Sequence, residues 1–456
     1  MSATMAHAFS PAAFPAPARA LPANGDPLLF RRARTWWLLL GLTLLVQGNG
    51  IFTRQDETYW SLAHLSQKYD SKPNLLWLTG VMCVIFFGLM IGHIAPTLRT
   101  MLRQKAVLAF AVLAFLSAVW SEDPLLTLRK ATLLFLTFIF AWFFATSYSP
   151  QDQMRIVLAT GVVVAIASIA MAILLPEYGV SKDGEWKGIF GQKNELGIAM
   201  FLLFSPLPFC RTASRRRLLT VVMQATLPIA LIVLSQSKEA IIVAILFVAV
   251  RILGPFIVNR RRDQLPFVLY STVVGLPAMA LVMVAGKDFF LGLLGKEGTL
   301  TGRTEHWAIE AQYIANHLWL GYGYHAFWTG TGDSLNVVRA VGGAMKGSDS
   351  GYVDMLLNLG LVGIILLMVL LVVCVRDFLK VLRPPSVPLF TFWYAGLILG
   401  MYVESFVGNT FPYPAAPGCF MFVVACAGLN SLLHENAPSD DPTASIHGQV
   451  YAEELG

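Results

Sequence analysis

The chain is 456 residues long, with 56% of them hydrophobic and only 13% charged, and its mean hydropathy is +0.63. A balance this apolar excludes an ordinary soluble enzyme or binding module. The net charge of +6 does not point to nucleic acid either, because the basic residues form short clusters between apolar runs, where membrane orientation accounts for them.

Residues 1–34 are rich in Ala and Pro and lack the continuous apolar core of a signal peptide, so they are expected to be a disordered cytoplasmic tail. Arg31, Arg32 and Arg34 stand directly before the first apolar run, Trp36 to Phe52, and place the N-terminus in the cytoplasm. Further runs at 75–93, 105–120, 131–147, 154–175, 195–209, 219–235, 240–257, 266–285, 351–375, 387–406 and 415–433 bring the total to twelve expected spans. The fold class predicted is therefore all-α, a polytopic membrane domain over residues 35–433. An even number of spans returns the tail 434–456, with Asp440, Asp441, Glu453 and Glu454, to the cytoplasm, where it is expected to be disordered. Dense clusters at Arg215 to Arg217 and at Arg260 to Arg262 fall in short inner loops, and this topology puts residues 286–350 on the outer face. The five cysteines, Cys83, Cys210, Cys374, Cys419 and Cys426, lie in or at the ends of apolar runs and suggest no disulfide framework or metal cluster.

Three outer segments carry basic residues beside a span end: Lys187 and Lys193, the latter followed by Asn194; Lys238; and Arg303. Cations here run against the orientation rule, and an anion held at the membrane surface would account for them. Pairing of Lys193 with Glu195 and of Lys238 with Glu239, or snorkelling to headgroups, is the alternative. The long loop adds Trp307, Tyr313, Trp319, Tyr322, Tyr324, Phe327 and Trp328, whose faces suit sugar rings and also suit an interfacial belt. Thr304 to His317 fits an amphipathic helix with Trp307, Ala311 and Ile314 on one face. At the tenth expected span Ser350, Asp354 and Asn358 recur every four residues and share a helix face, with Asp349 and Tyr352 at the same end. Capping explains Asp349 or Ser350 but neither Asp354 nor Asn358. Glu404 is a further carboxylate at the outer end of its span.

Trp120-Ser121-Glu122-Asp123-Pro124, the stretch Gly188 to Gly197, Thr301-Gly302-Arg303-Thr304, Gly321-Tyr322-Gly323-Tyr324 with Phe327-Trp328, and Gly351-Tyr352 through Gly363 occur in this order. In these residues the chain resembles the O-antigen ligase and Wzy-type polymerase superfamily, and within it the ExoQ type of exopolysaccharide polymerase. The resemblance covers roughly residues 120–430. It implies a GT-C-like glycosyltransferase of the bacterial inner membrane, with a long periplasmic loop carrying short helices and both termini cytoplasmic. Its substrate would be an undecaprenyl-diphosphate-linked glycan, with no metal, nucleotide or other cofactor. Membrane lipid, a chain-length regulator and export proteins would be its partners, and nucleic acid would not.

By the same resemblance Arg303 matches the arginine of the long loop, and Lys238 stands where many relatives carry Ser-Arg. The ligase pattern of His, a polar residue, nine residues and Gly-x-x-Gly is met by Ser350, Gly360 and Gly363, but Asp349 takes the place of the His. That change favours a polymerase over a ligase, with His317 or His325 as compensating bases. Asp349, Arg303 and Asp354 are accordingly expected to be catalytic, and Lys193, Asn194, Lys238, Tyr352, His317, His325 and Trp328 to bind substrate. Twelve spans would suit a transporter equally well, but the chain shows no matching halves.

Overall fold

A computed structural model describes residues 35, 37–43, 73–209, 215–260, 303–329, 332–341, 347–382, 387–406, 408 and 412–435. The two tails, most of the first expected span and the whole of the ninth, 266–285, lie outside the described residues. Within them the chain is helical, and an isolated bridge between Val180 and Trp186 is the extended pairing present.

In chain order the helices are α1 (Pro73–Met90), α2 (Ile94–Arg103), α3 (Lys105–Leu116), α4 (Pro124–Ser147), α5 (Pro150–Leu174), α6 (Lys193–Phe204), α7 (Arg215–Ser235), α8 (Lys238–Arg260), α9 (Arg303–Asn316), α10 (Gly332–Val341), α11 (Gly351–Val381), α12 (Leu389–Glu404) and α13 (Pro417–Glu435). Their starts are written in the sequence. Asp123 accepts the Leu126 N–H at 3.0 Å with Pro124 at the first turn of α4, and Ser149 accepts the Asp152 N–H at 3.2 Å with Pro150 opening α5. Such caps satisfy amides that no intrahelical carbonyl reaches, and proline has no amide to leave open there.

Among the described residues four helices, Pro124–Ser147, Pro150–Leu174, Gly351–Val381 and Pro417–His434, are long and apolar enough to cross a bilayer, or five spans if the pair α1 and α2 counts as one. That pair is bent by 103°, where the sequence predicts a single span followed by an inner loop. The expected span 195–209 is the 12-residue α6, about 18 Å long at 1.5 Å per residue and too short to cross alone. Many large apolar side chains face outward, among them Val84, Ile91, Val119, Leu125, Leu174, Ile245 and Ile365. With a core that is equally apolar, this marks a membrane protein.

The core lies where α4, α8, α11, α12 and α13 pack, around Phe140, Trp142, Phe143, Phe144, Trp393, Tyr394 and Phe420. Several of its buried polar atoms are paired across helices, as apolar surroundings favour. Trp142 Nε1 donates to Gln104 Oε1 at 2.7 Å, Trp393 Nε1 to Ser205 Oγ at 2.9 Å, and Tyr394 Oη to Gln153 Oε1 at 2.9 Å.

One departure from regular helix shapes the N-terminal part of α11. α11 is broken at Gly360, whose φ of 61° and ψ of −157° are reached without strain only by glycine. The break frees the carbonyls of Leu357 and Asn358 and the amides of Leu361 and Val362, and the segment 318–323 takes all four. Tyr322 N–H donates to Leu357 O at 2.8 Å and Gly323 N–H to Asn358 O at 3.0 Å, while Leu361 N–H donates to Leu318 O at 2.8 Å and Val362 N–H to Trp319 O at 3.2 Å. Irregular backbone at the end of an apolar helix is thus satisfied by protein. Nine residues, Gly351 to Leu359, form a half-helix docked on the long loop.

Candidate active site

The loop that leaves α9 is fastened to the helix ends at several points. Trp120 Nε1 donates to Leu320 O at 3.0 Å and Glu122 N–H to Tyr322 O at 3.1 Å. Tyr324 N–H donates to Ser117 Oγ at 3.0 Å, and its hydroxyl to Pro412 O at 2.9 Å. Gly323, at φ +100°, lies against Ser121, where a Cβ would fall 2.5 Å from the serine Cβ. The sequence motifs around Trp120, Gly321 to Trp328 and Gly351 to Gly363 are therefore one interlocked unit.

Asp354 is at its centre, 8% exposed on the first turn of α11. Its Oδ1 accepts three hydrogen bonds: from Trp328 Nε1 at 2.8 Å, Ser348 N–H at 3.1 Å and Ser348 Oγ at 2.9 Å. One helical turn on, Asn358 Oδ1 accepts the His325 N–H at 3.0 Å. The face of Ser350, Asp354 and Asn358 read from the sequence thus grips the loop.

Facing Asp354 from α9 is Glu310, which the sequence reading passed over. It is 0% exposed, and neither carboxyl oxygen has a hydrogen-bond partner among the described residues. Burial pushes its pKa up to about 8, the charges of Asp354 and Asp349 push the same way, and Ser348 partly offsets them. One turn earlier on the same face the buried His306 Nδ1 also has no partner among the described residues, and Trp307 Nε1 donates to Ser348 O at 2.8 Å. The sequence predicts Trp307, Ala311 and Ile314 as the apolar face of this helix. The structure instead leaves Ala311 exposed and packs Ile309, Tyr313 and Ile314 against Tyr322, Phe327, Val337 and Leu357. Glu310 was hidden because a lone acid in an amphipathic pattern reads as solvated.

The other expected site residues are placed as follows. Arg303 opens α9, seven residues before Glu310 and so on the same helix face, and its side chain is outside what is described. Asp349 is exposed at φ +52°. Ser350 is the N-cap position of α11, but its hydroxyl donates to Ser405 O at 3.2 Å, outside the helix. Trp328 and Asp354 are in contact, and His325 lies between Tyr324 and Tyr413 with ring centroids 4.6 and 4.4 Å away. Burial and the nearby Lys130 hold the His325 imidazole well below its usual pKa, hence neutral. Lys130 itself lies over the Tyr413 ring at 5.9 Å. His317 is exposed, 4.2 Å from the Tyr322 ring, in a separate group with Glu122 and Asp333. There burial and then Asp333 raise the Glu122 carboxyl, while His317 lowers it, and the Tyr322 hydroxyl donates to Asp333 Oδ2 at 3.2 Å.

Tyr352 points the other way, its hydroxyl donating to Tyr402 O at 2.8 Å. Lys193 is paired with Glu185 and not with the expected Glu195, whose Oε2 accepts the Gly191 N–H at 3.1 Å. Asn194 Nδ2 donates to Glu239 Oε1 at 3.0 Å. Glu239 and Glu404, both buried, converge on Gly408, and the Gly408 carbonyl accepts the Gly351 N–H at 2.7 Å. Asn194 therefore reaches the start of α11 through Glu239, whereas Lys238, next in the chain, is exposed. Because the Lys193 ion pair is partly exposed, Lys193→Met is expected to cost no more than about 1 kcal/mol, measured by thermal melting. A larger loss would give that pair a structural role its surroundings do not indicate.

Comparison with known proteins bears on this unit. Residues 224–368 match the family model described as "O-Antigen ligase", a stretch that runs from within α7 to beyond the break in α11. The chain is also 26% identical over 376 residues, 75% of its own length and 81% of the relative's, to "Exopolysaccharide production protein ExoQ" of Rhizobium meliloti (strain 1021). The match covers the loop and the broken helix that form the site, and the chain is a membrane protein similar to the O-antigen ligase and Wzy-type superfamily, ExoQ-like in sequence.

Proposed function

We propose that the chain is a polysaccharide polymerase of the bacterial inner membrane, joining undecaprenyl-diphosphate-linked oligosaccharide repeats on the periplasmic face for an exopolysaccharide or capsule. The observation that carries this reading is the placement of the polar groups. Asp354, Glu310, His325, Trp307 and Trp328 gather at one end of an apolar bundle, where a lipid-linked sugar presents its reducing end. A transporter would need its polar site near mid-membrane. The sugar would lie against the aromatic faces of the loop, and the diphosphate against Arg303, Lys130, Lys193 and Lys238.

In this reading the acceptor hydroxyl attacks the anomeric carbon with inversion, and the diphosphate leaves with the bonding electrons. Arg303 and the lysines stabilise the negative charge that grows on it. Asn194, Tyr352 and His317 contribute to substrate binding, and Asp349 and Asp354 to the polar end that receives the acceptor. The runner-up is a ligase that moves finished glycan to a lipid A core or a protein, favoured by the match to the O-antigen ligase family model. A chain-length regulator and export proteins would act with the enzyme in either case.

The test is a deletion strain restored with wild type or with Arg303→Ala, its secreted polysaccharide and lipid-linked pool measured by gel and mass spectrometry. Single lipid-linked repeats should accumulate in the Arg303→Ala strain, with polymer reduced roughly 100-fold or more, as expected for loss of one charge-stabilising donor. Long lipid-linked chains in place of single repeats would move the assignment to ligase.

A further inference from the structure

We infer that Glu310 is the proton acceptor of the reaction, taking the proton of the sugar hydroxyl that attacks. The inference rests on the proposed glycosyl transfer and adds to it the group that activates the acceptor. Sequence resemblance leaves that place open, since Asp349 stands where ligases carry a histidine.

The geometry separates two acids. Asp354 Oδ1 is fully occupied, receiving three hydrogen bonds. Glu310 is fully enclosed and its oxygens make no well-formed hydrogen bond among the described residues, the nearby Ser348 hydroxyl being committed to Asp354 Oδ1. An enclosed carboxyl with two open lone-pair positions is costly to keep unless something else uses it.

The charged and titratable groups described around Glu310 come from three elements. On its own helix there is His306; from α11 and the segment before it come Asp354, Asp349 and the Ser348 hydroxyl. On α10, Asp333 faces Tyr322 and Glu122 instead, and Arg339 is exposed. Burial first, and then the charges of Asp354 and Asp349, hold the Glu310 proton up to a pH of about 8, with Ser348 partly offsetting them. A base with that affinity takes a proton near neutral pH far better than an ordinary carboxylate.

Access is short. Ser348, which is buried, and Asp349, which is exposed, both act on Glu310, so solvent reaches a residue that neighbours it. In the step itself the acceptor O–H bond breaks and its proton goes to the Glu310 carboxylate. The oxygen then forms the new bond to the anomeric carbon while the bond from that carbon to the diphosphate oxygen breaks. Glu310 returns the proton to water before the next turn.

The experiment uses the full chain in lipid nanodiscs, with lipid-linked oligosaccharide extracted from the deletion strain as the probe. Wild-type turnover should rise about tenfold per pH unit below pH 8 and level off above it. Glu310→Gln keeps the shape but cannot take a proton. It should lower turnover at least ~100-fold with little change in KM and abolish the rising limb, while Glu310→Asp should restore part of the rate together with the limb. Infrared titration without substrate gives an independent reading: a protonated carboxyl band that disappears near pH 8 in wild type and is missing in Glu310→Gln. A Glu310→Gln enzyme that keeps both its turnover and the rising limb overturns the inference and leaves the polymerase reading intact. If the wild-type protein fails to lengthen the probe at any pH, the polymerase reading falls and the inference falls with it.

Discussion

Asp354→Ala is expected to lose roughly 3–5 kcal/mol of stability and essentially all polymer output. The substitution removes the acceptor of Trp328 Nε1, Ser348 N–H and Ser348 Oγ at once. Each buried donor left without a partner costs about 1–3 kcal/mol, and removal of a charge from a buried, hydrogen-bonded group falls in a similar range. Repacking recovers part of the sum, because the Trp328 ring can move once released. Asp354→Asn separates the two contributions. Its Oδ1 can still accept, so it should melt within about 2 kcal/mol of wild type, but without the negative charge Glu310 loses one of the groups that raise its pKa. The check is thermal melting of both variants in detergent beside polymer measured in cells. Normal melting of Asp354→Ala would contradict the hydrogen-bond cluster itself.

Gly360→Ala is expected to be more damaging to the fold than to any single contact, at about 3 kcal/mol or more. Two effects add. The φ of 61° with ψ of −157° is a conformation that residues with a Cβ avoid, a cost of order 1–3 kcal/mol. The new Cβ would also stand 2.4 Å from the Trp319 carbonyl carbon and 2.5 Å from its oxygen, and backbone cannot swing aside as a flexible side chain can. Either α11 straightens and abandons the four bonds to segment 318–323, or that segment moves and uncouples the loop. Gly363→Ala is the control. Its Cβ would meet Leu359 Cβ at 2.6 Å and the flexible Met355 Sδ at 2.9 Å, without the special backbone angle, so its loss should be about half as large, on the order of 1–2 kcal/mol. Equal melting temperatures for the two variants would show that the break in α11 is not what Gly360 provides.

Much of this organisation was legible in the sequence because it rests on composition and spacing. Apolar runs located α4, α5, α11 and α13, and the four-residue repeat of Ser350, Asp354 and Asn358 located the face that meets the loop. The pair Gly360 and Gly363 was visible only as a pattern. That the first glycine breaks the helix and the second allows close packing depends on backbone angles that composition does not carry. Glu310 was missed for a related reason. Its burial follows from Ser348 and Asp354, about forty residues away in sequence, closing over it. Lys193 and its neighbour went differently again: both carboxylates, Glu185 and Glu195, are close in sequence, and only the loop geometry decides which one takes the lysine.

The break in α11 has a further consequence for how the protein is made. Residues 318–323 leave the ribosome before residues 357–362, so the half-helix meets its backbone partners as soon as it emerges. The first amide of α11 must wait longer, because its acceptor, Gly408 O, and the acceptor of the Tyr324 hydroxyl, Pro412 O, are synthesised later. A nascent chain halted after α11 can close the clamp at Gly360 but not the platform around Gly351. The last two helices, remote from the matched family segment, therefore act as the closing step of biogenesis, and premature termination ahead of them should yield a protein that inserts but is cleared by membrane quality control.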